Sequence, residues 1–470
     1  MVNTLYLPEL REMLAENNAD EMREFCTALH PARTAEFMEG LTADEAWRVL
    51  QHADAETREE IFGYFDEDKQ LEILESQDRQ EIAGLVAEMP PDDRVDLLQE
   101  ADDTIVEEIL PLLPTDERRD YLRLREYPEG VAGAVMTTEV AKLGDGLTVK
   151  QALEELGRQA EELETIYYLY VVDETDHLRG VVSARQLVSA MTHPETRLGE
   201  LMETDVAAAN VLDDQEEVAQ KVARFDLLAI PVVDDEHRML GIITHDDVID
   251  VMREEATEDA HRIAAVNPLE ESYMKTPVFT LSWKRGVWLT ILFVFALLTA
   301  FALQHFETDI QSYTWLVLFI PLVISSGGNT GNQSATLIIT AMATKDIELR
   351  DWLLVVRREL ATGLLLGGFL ALIGFVAAII LTQEVVPSVV VAVTLVLVVI
   401  CGTLFGSVLP LMFKRLGLDP ALMSSPFVAG IIDILGIVIY MRVALLLMSM
   451  TDGGVPDPNP VETSSLFFFR

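Results

Sequence analysis

Hydrophobic and polar positions are arranged in three distinct ways along this chain. Over residues 1–130 apolar positions recur at helical spacing in short runs: PARTAEFMEGL, DAETREEIFGYF, EDKQLEILESQ, DRQEIAGLVAEM, PDDRVDLLQEA and TIVEEILPLLP, separated by Pro and Asp. That pattern predicts short amphipathic helices stacked as a helical solenoid or superhelix. Residues 133–252 contain a duplication, in which AGAVMTTEVAKLGDGLTVKQALEEL aligns with LGELMETDVAAANVLDDQEEVAQKV and YLYVVDETDHLRGVVSARQLV with LAIPVVDDEHRMLGIITHDDVI. Met136 answers Met202, Asp173 answers Asp234, and Gly180 answers Gly241. Each unit reads as strand, helix, two strands joined by a polar turn, and helix. From Gly286 onward the apolar stretches become nearly unbroken, at 286–303, 314–342, 360–382, 388–413 and 427–449. Each is near or above the ~20 residues that cross a bilayer as a helix.

Charge is segregated in the same way. The 470 residues carry 34 Lys+Arg against 78 Asp+Glu, a net charge of −44. Residues 276–470 hold 10 basic and 12 acidic residues, leaving 24 basic and 66 acidic, a net of −42, in the first 275. Such a surface excludes nucleic acid as a partner, because phosphates are bound with Lys and Arg. It invites cations. Cys26 and Cys401 stand alone, without the spacing of a zinc site or redox pair, and no Ser/His/Asp, Walker or zinc-protease signature supports an enzyme. The start, MVNTLYLPEL, lacks the basic residues and apolar run of a signal peptide, so the acidic half is expected to stay in the cytoplasm.

The loops between the five apolar stretches predict topology. Lys275, Lys284 and Arg285 precede the first; Lys345, Arg350, Arg357 and Arg358 lie between the second and third; Lys414 and Arg415 lie between the fourth and fifth. The loops 304–313 and 383–387 have no Lys or Arg, so the N-terminus is expected in the cytoplasm and the C-terminus outside the cell membrane. Five spans are few for a pore, which points to a homodimer with the path near its two-fold axis.

Two features inside these spans are chemically unusual. In PLVISSGGNTGNQ (321–333), Pro321, Gly327, Gly328 and Gly331 are expected to weaken the helix and expose carbonyls, and Asn329, Asn332 and Gln333 add amide oxygens. Irregular backbone at membrane depth lines a cavity or is buried in protein, so this segment is predicted to line a pathway. A small-residue packing face would account for the glycines but not the amides. The second feature is Asp433, the one carboxylate of the fifth stretch, with Gly430 and Gly436 three residues to either side. An intramembrane carboxylate marks an ion path or a buried partner. Arg442 is nine residues on, and at about 100° per residue it lies on the opposite face, so the two do not pair within the helix.

The segment DDVIDVMREEATEDAHRIAAVNP (246–268) reads as a helix about 34 Å long. Asp247, Asp250, Glu254 and Glu258 form a stripe along it, widened by Glu255 and Asp259. Like charges one turn apart destabilise a helix, so the stripe should seek divalent cations. Candidate facing groups are Asp92, Asp93 and Asp96 in PPDDRVDLL, with Glu59, Glu216, Glu217 and Asp226.

The duplicated units resemble a tandem CBS pair, a module that often senses adenine nucleotides. The resemblance implies a ribose contact from a Ser/Thr-x-x-Asp element, kept as Thr244 and Asp247 in the second repeat but replaced by Ser183 and Gln186 in the first. The resemblance thus leaves room for ATP near the second repeat only, the alternative being a purely structural pair. The full order, an acidic helical domain, a CBS pair, an acidic helix and five spans carrying GGNTGNQ (327–333) and Asp433 after Pro426, resembles the MgtE family of magnesium channels. The resemblance implies a multidomain α plus α/β membrane protein: helical domain 1–130, CBS repeats 133–195 and 196–252, a connecting "plug" helix 246–268, a five-span domain 276–450 and a tail 451–470. It further implies Mg²⁺ conduction past Asp433, and the residues themselves point to Pro321, Gly327, Gly328, Asn329, Asn332, Gln333 and Gly430 along the pore. Closure when Mg²⁺ fills sensor sites is implied at Asp92, Asp96, Asp247, Asp250, Glu255, Glu258 and Asp259, with Glu216, Asp226 and Asp419, and Glu59 joins them as a metal candidate on charge alone. Ala429 and Gly430 depart from a family preference for hydroxyl side chains. The residues alone leave two other readings open: a divalent-cation carrier coupled to H⁺ or Na⁺, and a non-conducting membrane sensor of Mg²⁺ or nucleotide.

Overall fold

A computed structural model describes residues 5–160, 163–269, 273–422 and 425–451. The expected tail beyond Thr451 lies outside them. The chain divides into two compact units, Met1–Arg253 and Glu254–Arg470.

The first unit begins with ten short helices, from α1 (Leu7–Glu16) to α10 (Thr115–Leu124), which include α4 (Ala43–Leu50), α5 (Ala55–Gly63), α6 (Glu67–Ser76), α7 (Arg79–Glu88) and α8 (Pro91–Glu100). Acidic residues start several of them: Asp54 accepts from Thr57 N at 3.0 Å and Asp78 from Gln80 N at 2.9 Å, satisfying amides that the helix leaves free. Arginines stitch one helix to the next. Arg58 donates to the carbonyls of Leu50 and Ala53 at 3.1 and 3.0 Å, Arg79 to Leu74 at 2.8 Å, and buried Arg94 to Val86 and Met89 at 2.8 and 2.7 Å. Each guanidinium thus covers orphan carbonyls at the end of α4, α6 or α7. Trp47, Leu50, Ile61, Phe62 and Leu98 fill a core that continues through Ala132, Met136, Val218 and Val248.

The duplication forms two matching sheets. In the first, β1 (Val140–Gly144) runs parallel to β2 (Thr165–Val172), which pairs antiparallel with β3 (Leu178–Ser183). In the second, β4 (Ala209–Asn210), β5 (Ala229–Val233) and β6 (Met239–Thr244) repeat that order. Among the helices between and after these strands, α11 (Val149–Gln159), α12 (Ala184–Ser189), α13 (Leu198–Leu201) and α14 (Gln215–Phe225) complete the repeats. Asp173 and Asp234 play the same part, each accepting backbone N–H groups that close the β2–β3 or β5–β6 turn. The matched glycines show why no side chain is tolerated there. A Cβ on Gly180 would lie 2.7 Å from Glu203 O, and one on Gly241 would lie 2.3 Å from Thr137 O. These contacts are crossed: Met202, from the second repeat, packs on Gly180, and Met136, from the first, packs on Gly241. Backbone bonds seal the exchange, Val181 with Glu203 and Thr137 with Ile242.

Helix α15 (His245–Ile263) follows. It stops at Ile263, not at residue 268 as the sequence pattern predicts, so its 19 residues span about 28 Å. Beyond it, Lys284 Nζ donates to Pro268 O at 2.6 Å and Trp288 Nε1 to Asn267 Oδ1 at 2.9 Å, which ties the segment after the helix to the next one.

The second unit contains α16 (Val278–His305), the short α17 (Glu307–Ser312), α18 (Leu316–Ala343), α19 (Trp352–Thr382), α20 (Val385–Arg415) and α21 (Ser425–Thr451). Four stretches, Val278–His305, Leu349–Thr382, Val385–Arg415 and Pro426–Met450, are long and apolar enough to cross a membrane. Helix α18 is equally long at 28 residues, but the Ser, Asn and Gln residues of 325–333 dilute its hydropathy. It is also continuous. The expected break at Pro321 and the glycines is absent, because the glycines pack instead of bending. A Cβ on Gly402 would come 2.7 Å from Gly327 O, and one on Gly406 2.3 Å from Gly331 O, so α18 and α20 meet along two small-xxx-small faces.

Candidate functional site

Three acidic groupings emerge. In the first unit, Asp92 lies on the first turn of α8 and Asp247 on the first turn of α15. Asp92 is buried at 8% exposure and its Oδ1 has no hydrogen-bond partner. An ionised oxygen in that position is costly without a cation or a proton. Burial, then the charges of Asp247, Asp93 and Glu164, push its carboxyl well above the usual range. Loss of water and acidic neighbours also raise Glu59 to about 7, with Asp93, Glu60, Glu164 and Glu139 acting on it. Glu164 rises to about 7 by the same causes, chiefly burial and Asp247. Asp247 rises to about 6 through burial, against the opposing hydrogen bond from Thr244. Asp93 is exposed as a residue yet crowded at its carboxyl, and desolvation with Asp246 and Asp250 raises it.

The structure thus gathers Glu59, Asp92, Asp93, Asp247 and Asp250 of the sequence-predicted groups. Asp96 is exposed one turn further along α8. Glu216 and Asp226 lie at the first turn and the C-cap of α14, about 15 Å from each other along the helix. Glu139 and Glu164 were missed. They are far from Asp92 in sequence and adjoin each other only through the sheet, where Glu164 N donates to Glu139 O at 3.2 Å. Among the described residues no three acidic, His or Cys side chains stand at the spacing of a finished metal site. The donor set is nonetheless what a hard divalent cation requires, carboxylate oxygens in number.

The Thr244 hydroxyl lies within hydrogen-bond reach of Asp246 and Asp247 and donates to one of them at a time, and Thr244 N donates to Asp247 Oδ2 at 3.2 Å. Ser183 and Gln186 cap their helix in the same way, at 2.8 and 3.2 Å.

In the second unit, Glu258, Asp259 and Asp419 come together. Burial, then Asp419, raises Asp259. Arg262, which the carboxylate stripe did not bring forward, pairs with both Glu258 and Asp419. Glu255 acts on Asp259 through its charge.

The third grouping lies within the long helices. Asp433 on α21 is half-buried, with its Oδ1 where a Cβ on Gly328 would be 3.4 Å away. Gly328 therefore leaves room beside the carboxylate. One turn along α18, Asn332 has a buried Oδ1 without a partner, whereas Asn329, Gln333 and Pro321 are exposed on that helix. Gly327 faces Val398 and Ile432 and is a packing position. So is Gly430, expected along the pore: its missing side chain admits Phe295 of α16, and a Cβ would lie 3.0 Å from that of Phe295. Arg442 is exposed. The sequence pattern missed Glu359, near the start of α19, whose Oε2 accepts from buried Ser334 of α18 at 2.6 Å.

Helices long and apolar enough to span a membrane, with an aspartate between two of them, follow an acidic unit of two strand–helix repeats, and the sequence families place this arrangement among divalent-cation transporters. Residues 320–443 match the MgtE family described as divalent cation transporter, 29–130 the MgtE intracellular N domain, and 132–193 and 198–254 the CBS domain. The chain is 44% identical over 325 residues, 69% of its length, to the magnesium transporter MgtE of Thermus thermophilus, covering 72% of that protein. It is 34% identical to the MgtE of Bacillus subtilis, covering 68% of this chain and 70% of that one. A crystal structure of the soluble part of a magnesium transporter matches 53% of this chain and 97% of its own, at 35% identity and a TM-score of 0.50. The chain belongs to the MgtE family of magnesium transporters.

Proposed function

We propose that this chain forms a homodimeric, Mg²⁺-selective channel for magnesium uptake in the cell membrane, with five spans per subunit, the N-terminus cytoplasmic and the C-terminus outside. The observation that carries this reading is the Asp433 carboxylate, held between α18 and α21 beside Gly328. Mg²⁺ releases water reluctantly, so a path that offers one carboxylate per subunit and amide oxygens can pass it hydrated. Asn329 and Gln333, exposed on α18, and Asn332 supply such oxygens. Cytosolic Mg²⁺ gates the path through the acidic groups of both units: at low Mg²⁺ their repulsion opens the assembly, and at high Mg²⁺ binding favours the compact form. ATP is an accessory ligand of the second CBS repeat, where Thr244 and Asp247 are offered to a ribose.

The test is patch recording of the protein in liposomes with cytosolic Mg²⁺ varied. Wild type should conduct without an H⁺ or Na⁺ gradient and close as Mg²⁺ rises, and Asp433→Ala should lose the current. Flux that stops when the H⁺ or Na⁺ gradient is removed would establish a carrier. No flux from wild type would establish a sensor.

A further inference from the structure

A cavity of about 410 Å³ opens between the start of α19 and the end of α20. Its walls combine opposite chemistries. Arg350, on the turn Leu349–Asp351 before α19, and Arg415, the last residue of α20, supply two guanidinium groups. Trp352, Val356, Leu411 and Met412 supply an apolar face. Leu411 is buried at 5% exposure, whereas Trp352 and Met412 are 54% and 48% exposed, so the cavity is open to the outside of the bundle. Arg350 already pairs with Glu348 at 3.1 Å, but both side chains are largely solvated, and such a pair holds the guanidinium only weakly.

The position narrows the ligand. Both arginines mark the end of an apolar span, the depth at which a bilayer changes from acyl chains to headgroups, and an indole ring suits that level. Guanidinium recognises phosphate by paired N–H donors. A free phosphate would satisfy the arginines and leave the apolar wall uncovered. A zwitterionic lipid would cover the wall and bring its own cation to the two arginines. We infer that this cavity binds an anionic phospholipid, its phosphate between Arg350 and Arg415 and an acyl chain along Trp352, Val356, Leu411 and Met412. Basic pockets between spanning helices are suited to this class of headgroup.

The test is native mass spectrometry of the full-length, delipidated protein in detergent, titrated with phosphatidylglycerol, phosphatidylcholine or inorganic phosphate. Wild type should take up phosphatidylglycerol several-fold more tightly than phosphatidylcholine, and R350A/R415A should reduce it to the phosphatidylcholine level. R357A/R358A removes equal charge outside the cavity and should keep the preference. M412W keeps both arginines but fills the cavity, and should weaken phosphatidylglycerol binding in a protein whose fold is undisturbed. The inference is overturned if M412W or R350A/R415A retains wild-type phosphatidylglycerol binding, if R357A/R358A removes the preference equally, or if inorganic phosphate displaces the lipid completely.

Discussion

The acidic cluster around Asp92 and the one around Asp419 differ in a single respect that governs both. Around Asp419 the chain supplies its own cation, Arg262, which pairs with Glu258 and Asp419. Around Asp92 the largest influences on each carboxyl, other than burial and the Thr244 hydroxyl, are other carboxylates. One cluster holds an internal cation against its three carboxylates, and the other depends more on what the solution provides. The second kind gains more from a divalent cation, because its carboxylates chiefly repel one another.

The largest expected effect comes from removing the orphaned oxygen. Asp92→Asn should raise the Mg²⁺ concentration for half-closure by at least the ~10–100-fold that loss of even an outer-shell partner costs a metal site, read as channel current in patches. An unchanged midpoint would remove the Asp92 cluster from gating. Next is pH. Glu59 and Glu164 near 7 and Asp247 near 6 are all raised above ordinary carboxylates. The folded first unit therefore binds more protons than its unfolded chain between about pH 4 and 7, so its Mg²⁺-free stability should fall as pH rises through that window. Mg²⁺ must displace those protons, so its protection against proteolysis should be greater at pH 8 than at pH 6. Equal protection at both would contradict the shifts. The smallest effect belongs to the cluster that holds Arg262. Arg262→Gln should lower the half-closing Mg²⁺ concentration about two- to fivefold, the scale of a partly exposed ion pair worth ~0.4–1 kcal/mol. A rise in that concentration would show that Arg262 supports closure instead of competing with it.

Much of this was legible in the chain because the signals are local or repeated. Gly180 and Gly241 announced the duplication, since each sits where a neighbouring backbone leaves no room for a side chain. Long apolar runs announced the spanning helices. The glycines of 327–331 were misread as a break because their purpose is set by Gly402 and Gly406, some seventy residues away on another helix. Glu164, Arg262 and Glu359 were missed for the same reason: each acquires its meaning from a partner that no spacing rule reaches. The arginine stitches of the helical domain are equally silent in sequence, because a guanidinium that covers carbonyls needs no particular residue opposite it.

The crossed packing of Met136 on Gly241 and Met202 on Gly180 bears on how such a pair could arise. Neither half is a self-sufficient object, since each one's leading segment closes the other's sheet. A forebear with one half would have needed a second copy of itself to be whole, and joining the two genes turned a partnership between molecules into a property of one chain.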